Sequence, residues 1–357
     1  MERALELARG GLGTTSPSPS VGCVIVKDGQ VVGEGATQPP GGPHAEKVAL
    51  EQAGAQARGA TLYVTLEPCS RHNRTPPCTT AIAEAGIARV HLAVLDPNPQ
   101  QGQGKTELEA AGIATLLGEG EREARRVSEA FFKWITTGLP FVYGKFAASL
   151  DGKIATNSGE SQWITGEAAR SVVHGLRSQV DAIMVGSNTA LRDDPRLTPR
   201  QGDAPSERSP TRVVVDTAAR LPATARMLGE PGKSLIATTS KASAEARRAL
   251  EAAGAEVLTL PEGDGGVDLA SLLAALGERE LTSILVEGGG ELLGSFFEQG
   301  LVDKVLAFIA PVVIGGRDAP TAVAGHGIAS LSQALRLRDV EVQQLDGDVL
   351  ITGYKDG

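Results

Sequence analysis

The sequence predicts an α/β protein of two domains, and three observations predict it. At 357 residues the chain is long for a single hydrophobic core. Strand-like runs such as VGCVIV and ATLYVTL alternate with amphipathic helical periods along it. Its composition, 41% hydrophobic and 22% charged but only 3% aromatic, is that of a soluble α/β fold. A formal net charge of −9 with no basic tract argues against a nucleic-acid partner. The N-terminal MERALELARGGLG carries acidic residues inside its apolar period, so it reads as neither signal peptide nor membrane span. The expectation is a cytoplasmic protein with no membrane partner. Cys23, Cys69 and Cys78 are too few, and odd in number, for a secreted disulfide framework; metal binding or burial is the expected use.

Taken in order, the first part predicts a helix over 2–10, the strand VGCVIV, a helix from 44, the strand ATLYVTL, a helix after Cys78 and the strand RVHLAVL. A helix over 121–137 carries Phe131, Phe132, Trp134 and Ile135 and stops at TGLP, which places a domain boundary at Leu139 and gives domains 1–139 and 140–357. The strands FVYGKFAAS, DAIMVG, TRVVVD, KSLIATT, AEVLTL and TSILVEGGG follow, with helices over 166–177 and 241–253. From 303 on, DKVLAFIAPVVIGG and the pair LRDVEVQQL and DVLITGY, joined by Asp346-Gly347, read as antiparallel strands closing a mixed sheet. TPRQGDAPSERSP and PEGDGG read as loops.

The first domain shows a metal pattern. His44 and Glu46 open one predicted helix, Cys69 follows a strand, and Cys78 opens the next helix. One imidazole and two thiolates make a three-ligand set for Zn2+ with the fourth position open, which is what a catalytic zinc needs. A helix start favours the thiolate of Cys78. Glu46 is placed to move protons beside the metal. Zinc deaminases pair H-x-E with P-C-x-x-C; here HAE and EPC fit, and the cysteines stand further apart. Cys23 and His91, both within strands, read as buried residues, and His174 and His326 as surface or packing residues.

These motifs resemble a known family. TSPSPSVGCVIVKDG, GGPHAEKVAL, VTLEPCSRHNRTPPCTTAI and AVLDPNP are similar to the deaminase half of the bifunctional riboflavin-biosynthesis deaminase-reductases, in which the longer cysteine spacing is the norm. GKFAASLDGKIAT, GESQWIT, DAIMVGSNTALRDDPRLTPR, VEGGGELLGSFFEQGLVDKV and FIAPVVIGG resemble the reductase half. The resemblance implies a cytidine-deaminase-like three-layer α/β/α domain followed by a dihydrofolate-reductase-like α/β domain with a mixed sheet. It implies zinc-dependent deamination of a diaminopyrimidinone ribosylamino 5′-phosphate, then reduction of its ribosyl chain with NADPH. It also implies a homo-oligomer, dimer or tetramer, assembled through the reductase.

By position, the resemblance assigns NADPH to Ala147, Trp163, Thr189, Asp193, Thr217 and the run Gly289, Gly290, Glu291, Leu292, Leu293, Gly294 and Ser295. It assigns the phosphorylated pyrimidine to Ser161, Arg177, Leu197, Arg200 and Glu287, and to Arg74, Asp96 and Asn98 in the first domain. Two arginines on one site suit a phosphate through bidentate contacts. Asp193, Glu287 and Lys145 are candidate proton handlers. The chain departs from the family at Ser18, where an asparagine is usual, at Val48, at Arg71, at GQGK over 102–105 and at Val312. A serine or valine in place of an amide changes what a pocket reads on a ring edge. Two other readings therefore stand beside the bifunctional one: a reductase whose zinc domain is impaired or takes another amino-heterocycle, and a zinc-stiffened scaffold, against which Glu46 speaks.

Overall fold

The computed structural model describes residues 1–71, 77–98, 100–201, 204–205 and 209–356. It divides into two compact units, Met1–Leu139 and Pro140–Gly357. Among the described residues no helix is long and apolar enough to cross a membrane.

The first unit runs α1 (Glu2–Gly10), β1 (Gly22–Lys27), β2 (Gln30–Ala36), α2 (Ala45–Ala53), β3 (Thr61–Val64), α3 (Cys78–Glu84), β4 (Arg89–Leu92), α4 (Gly104–Ala110), β5 (Ala114–Leu117), α5 (Glu121–Val127) and α6 (Glu129–Thr137). Its sheet has the order β2-β1-β3-β4-β5. β1 is antiparallel to both neighbours, and β3, β4 and β5 are parallel.

Glycines decide how the helices seat. Cys23 and Ile25 pair with Gly35 and Gly33, and on that face α2 lies so close that a Cβ on either glycine would collide with a backbone carbonyl of Ala45 or Ala49. On the opposite face a Cβ on Gly22 would strike the carbonyl oxygen of Ala4 in α1. There Arg3 of α1 reaches Glu34 of β2 at 2.9 Å. Helices thus cover both faces, and the unit has three layers.

In the first unit three elements lay outside the sequence expectation: β2, α4 and β5. The first was signalled by Asp28-Gly29, whose φ values of 48° and 78° suit a two-residue hairpin turn. Its strand, QVVGEGA, lacks an apolar face because the backbone of α2 fills it. The expected helix over 121–137 is two helices. Ser128, with ψ near 11°, breaks it, so that Ala124 and Phe131 both reach the core from different axes.

The second unit contains β6 (Phe141–Ser149), α7 (Glu167–Gln179), β7 (Ala182–Gly186), α8 (Ser187–Asp193), the short pair β8 (Arg200–Gln201) and β9 (Ala204–Pro205), β10 (Thr211–Val215), β11 (Ser234–Thr238), α9 (Ala244–Ala252) and β12 (Glu256–Thr259). Then come the small hairpin β13 (Glu262–Gly263) and β14 (Gly266–Val267), α10 (Leu269–Gly277), β15 (Ser283–Val286), α11 (Gly290–Glu298), β16 (Lys304–Ala310), β17 (Leu337–Leu345) and β18 (Asp348–Lys355). A nine-stranded sheet has the order β12-β11-β10-β7-β15-β6-β16-β18-β17. Neighbours from β12 to β16 are parallel, and β18 joins β16 and β17 antiparallel, as the mixed sheet read from the sequence requires. The chain steps from β6 over β15 to β7 and later returns to fill the gap. The winding therefore reverses beside β15, where open α/β sheets leave a crevice at their carboxyl ends.

Gly22→Ala is expected to destabilise the first unit by about 1–3 kcal/mol, because the backbone of α1 must move to admit a methyl group. Thermal denaturation checks it against Gly10→Ala, where the added carbon meets nothing within 4 Å. Equal melting temperatures for the two variants would mean that α1 does not pack as described.

Candidate active sites

In the first unit two helix starts and one strand exit converge. His44 is the N-cap of α2, with extended ψ of 158°, and Cys78 is the first residue of α3. Cys69 lies on the segment leaving β3. The His44 Nδ1 is 3.6 Å from Cys69 Sγ and 3.4 Å from Cys78 Sγ, and the three ligand atoms lie within 4.8 Å of one another. Zn–S and Zn–N bonds at tetrahedral angles span an N···S edge of about 3.5 Å. The donor set therefore fits zinc in both size and chemistry.

The three groups also act on one another's protonation: the hydrogen bond with Cys69 pushes the Cys78 thiol up. The Cys69 thiol is pushed down to about 4, first by its hydrogen bond with the Cys78 side chain and also by the Cys78 N–H at 3.3 Å. Its hydrogen bond to Cys69 raises the pKa of His44 against the opposing effect of burial. Glu46, in the first turn of α2, is 3% exposed and outside the ligand set. Burial pushes its carboxyl up, so it can take and release protons nearer neutrality than an exposed glutamate.

A cavity of about 250 Å³ opens over this cluster. His44, Glu46 and Cys69 line it together with Ser18, Asp96 and Asn98, and Phe131, Trp134 and Ile135 of α6 form an apolar wall. Burial pushes Asp96 up to about 6. Arg74 lies outside the described residues. Of the departures, Ser18 lines the cavity. Val48 does not, since it faces Gly35 beneath α2, and Arg71 is exposed away from it. Glu67, which sequence reasoning missed, is buried and accepts hydrogen bonds from the N–H groups of Asp96 at 3.1 Å and Lys105 at 2.8 Å, tying three loops together. Its signal was a carboxylate inside LEPC, between an apolar strand and a ligand.

The second unit holds a cavity of about 960 Å³. Of the residues singled out from the sequence, Ala147, Ser161, Trp163, Arg177, Asp193, Leu197 and Arg200 line it, as does Lys145. Glu287 does not line it but closes a bidentate pair with Arg177, both contacts 2.6 Å. Burial alone would raise the Glu287 carboxyl, and Arg177 overrides it, holding the group below the usual range. Burial lowers Lys145, against the attraction of Glu287. His174, expected at the surface or in packing, lines this cavity, one turn from Arg177, with a buried Nδ1 that has no hydrogen-bond partner among the described residues. His91 and His326 differ from it: His91 Nδ1 is 2.7 Å from Glu119, and His326 is fully exposed. Cys23 is buried.

Thr189, Thr217 and the glycine run lie outside that cavity, along the carboxyl edge of the sheet. Gly289, with φ of 78°, precedes α11, and a Cβ there would stand 3.0 Å from Thr189 Oγ1. The N–H groups of Gly290, Glu291 and Leu292 have no partner within the helix. The rest of the run is committed elsewhere. Leu293 N–H bonds Gly289 at 3.1 Å, the Ser295 hydroxyl bonds the Glu291 carbonyl, and Gly294 is glycine because the Ala324 carbonyl packs on it. The side chains of Leu292 and Leu293 are buried. The N–H groups at the start of the run, from Gly290 to Leu292, are those the helix leaves free.

Residues 1–94 match the cytidine and deoxycytidylate deaminase zinc-binding region, and residues 140–351 match the RibD C-terminal domain. The chain is 43% identical to the riboflavin biosynthesis protein RibD of Aquifex aeolicus, over 98% of this chain and 96% of that one. Identity to the Escherichia coli protein of the same name is 42%, over 98% and 97%. Among solved structures, Acinetobacter baumannii RibD is similar with a TM-score of 0.89 at 38% identity, covering 100% of this chain and 98% of that one. A diaminohydroxyphosphoribosylaminopyrimidine deaminase/5-amino-6-(5-phosphoribosylamino)uracil reductase from Thermotoga maritima gives 0.88 at 36%, over 100% and 97%.

Two measurements follow from this geometry. Purified protein is expected to hold about one zinc per chain, falling at least about tenfold in Cys78→Ser and unchanged in Cys23→Ser, by elemental analysis. Persistence of zinc in Cys78→Ser would exclude that sulfur as a ligand. Glu287→Gln, which leaves the Arg177 guanidinium buried without its partner, is expected to lower the denaturant-derived stability of the second unit by about 3 kcal/mol. A loss below about 0.5 kcal/mol would show the pair to be unimportant to the fold.

Proposed function

We propose that this chain, which belongs to the RibD family of riboflavin biosynthesis proteins, carries its deaminase on residues 1–139 and its reductase on residues 140–357. It is a bifunctional enzyme, and its cofactors are Zn2+ and NADPH. The substrate we assign is 2,5-diamino-6-ribosylamino-4(3H)-pyrimidinone 5′-phosphate, deaminated and then reduced to 5-amino-6-(5-phospho-ribitylamino)uracil. One observation carries the first step: His44, Cys69 and Cys78 converge at zinc-ligand spacing beneath a cavity that Glu46 also lines.

Zinc, when bound, supplies Lewis acidity and a water acidic enough to attack an amidine carbon. The chain's own residues do the rest. The Glu46 carboxylate takes a proton from the attacking water and returns it to the departing amine, leaving as ammonia. The Phe131, Trp134 and Ile135 wall presses on the ring and excludes bulk water. Asp96, Asn98 and Ser18 face the ring edge. Of Ser18, Val48 and Arg71, only Ser18 lines the cavity, and its hydroxyl is where we place a change in ring recognition.

In the second step NADPH supplies hydride, and the protein supplies position and charge. Arg177, held flat by Glu287, and Arg200 offer a fork and a cation to the 5′-phosphate. Among the three candidate proton handlers, Glu287 is engaged by Arg177 and Asp193 is exposed. Lys145 is half-buried and lines the cavity, with a lowered pKa, and we assign it the proton donated to the opened sugar. We also infer a homo-oligomer, dimer or tetramer, through the second unit. The edge strand β17 supports it, for Val340 and Val342 stand exposed on an unpaired edge. Three free cysteines, two of them in the ligand set, suit a reducing cytoplasm.

Glu46→Gln is expected to lower ammonia release from the diaminopyrimidinone at least about a hundredfold, while zinc content and NADPH oxidation on pre-deaminated substrate stay unchanged. Ammonia release at the wild-type rate in this variant would remove Glu46 from the mechanism.

A further inference from the structure

Gln101 is a polar residue of the first unit's cavity that neither proposed step uses. It stands between β4 and α4 and lines the cavity together with Ser18, Asp96 and Asn98. The polar side chains around it spend oxygens on the protein itself. Thr37 Oγ1 accepts from the Val21 N–H at 3.1 Å, Asn98 Oδ1 from the Gln100 N–H at 2.9 Å and Asp96 Oδ1 from the Asn98 N–H at 2.8 Å. Both oxygens of Glu67 are taken, by the N–H groups of Asp96 and Lys105. Gln101 differs from all of these, for its side-chain oxygen is buried and has no hydrogen-bond partner among the described residues. Buried polar atoms are nearly always paired, so an acceptor left open on a cavity wall points to a donor that arrives with a ligand.

The backbone of this residue is held in place. Its N–H donates to the Asn98 carbonyl at 3.0 Å, and its own carbonyl accepts from Ser70 Oγ at 3.2 Å. Ser70 directly follows Cys69, so Gln101 is tied to the segment that delivers a sulfur to the metal cluster. The amide therefore starts from a fixed point near the reacting centre.

The substrate assigned above decides what an amide reads there. Its amine leaves from the carbon between the two ring nitrogens, and that amidine faces Glu46 and the three side chains of the metal cluster. The lactam side of the ring remains, an N–H beside a C=O. A primary amide matches such a pair, since its oxygen accepts and its NH2 donates in one plane. The Ser18 hydroxyl is a single group, and an ionised Asp96 has no donor. We propose that Gln101 is a specificity residue of the deaminase, accepting the lactam N–H of the pyrimidinone on its side-chain oxygen and donating its NH2 to the neighbouring carbonyl. This role rests on the deaminase reading of the first unit. Substrate and product carry the same lactam edge, so the contact is equal in the ground and transition states. Such a contact lowers KM and leaves kcat alone.

The test uses the full chain and follows ammonia release. Gln101→Leu, which keeps the bulk and removes both polar atoms, is expected to raise KM for the diaminopyrimidinone at least about tenfold and to leave kcat within about threefold. Zinc content and NADPH oxidation on pre-deaminated substrate are expected to stay at wild-type values. A substrate methylated on the lactam nitrogen lacks the N–H and probes the same contact with the protein unchanged. Wild type is expected to use it with kcat/KM at least about tenfold lower, and Gln101→Ala, which removes the amide and makes room for the methyl group, is expected to narrow that gap to within about threefold. An unchanged KM in Gln101→Leu, a fall in kcat with KM kept, or a wild-type enzyme indifferent to the methyl group would overturn the assignment. Zinc lost from both variants would overturn it too, leaving a structural role through Ser70. Wild-type protein that releases no ammonia from the unmodified compound removes the deaminase reading, and this role with it.

Discussion

A parallel strand must hand its chain to a helix at its carboxyl end, and both units concentrate their chemistry at such exits. In the first, Cys69 leaves β3 and Asp96 and Asn98 leave β4. In the second, Thr189 and Asp193 follow β7, Thr217 follows β10, and Glu287 and Gly289 follow β15. The constraint is geometric: backbone groups unpaired by the ladder meet there the free N–H groups of helix starts, and side chains from distant segments arrive within reach of one another.

Burial then sets the charge states that this placement makes available. Carboxylates in the two units lie in opposite surroundings. Glu46 has no ion pair among the described residues, and burial raises it. Glu287 is as deeply buried, yet the fork of Arg177 holds it ionised. The same residue type is therefore raised by burial in one unit and lowered by a neighbouring cation in the other. Lys145 sits next to the second pair and is lowered by burial, against the attraction of Glu287.

Backbone contact, more than side-chain packing, fixes how the helices seat on the strands. Gly22, Gly33 and Gly35 let α1 and α2 press main chain against β1 and β2, and Gly290 and Gly294 let the segment over 321–324 press on α11. At each position an alanine would require two backbones to separate. This close seating carries His44, at the head of α2, to within 3.6 Å of sulfurs that arrive from other elements.

Much of this was legible in the chain itself. Strand and helix periods marked most elements, the boundary near Leu139 and the mixed sheet. HAE, EPC and a cysteine at a helix start marked the three side chains that converge at metal-ligand spacing, because ligand chemistry restricts which residues can serve and where. What was not legible depended on distance between segments remote in sequence. β2 has no apolar period, since the backbone of α2 covers it. The aromatic stripe on α6 carried a core signal, and only the step at Ser128 turns it onto the cavity. Val48 looked like a substrate contact by its neighbours in sequence, and it faces Gly35 instead. His174 and Gln101 carried no signal at all, because a lone histidine or glutamine is ordinary until its surroundings are known. The sequence by itself determined which residues could bind a metal, a phosphate or a proton. Tertiary structure alone decided which of them face a cavity, because that depends on strand order and backbone approach, neither of which any local pattern encodes.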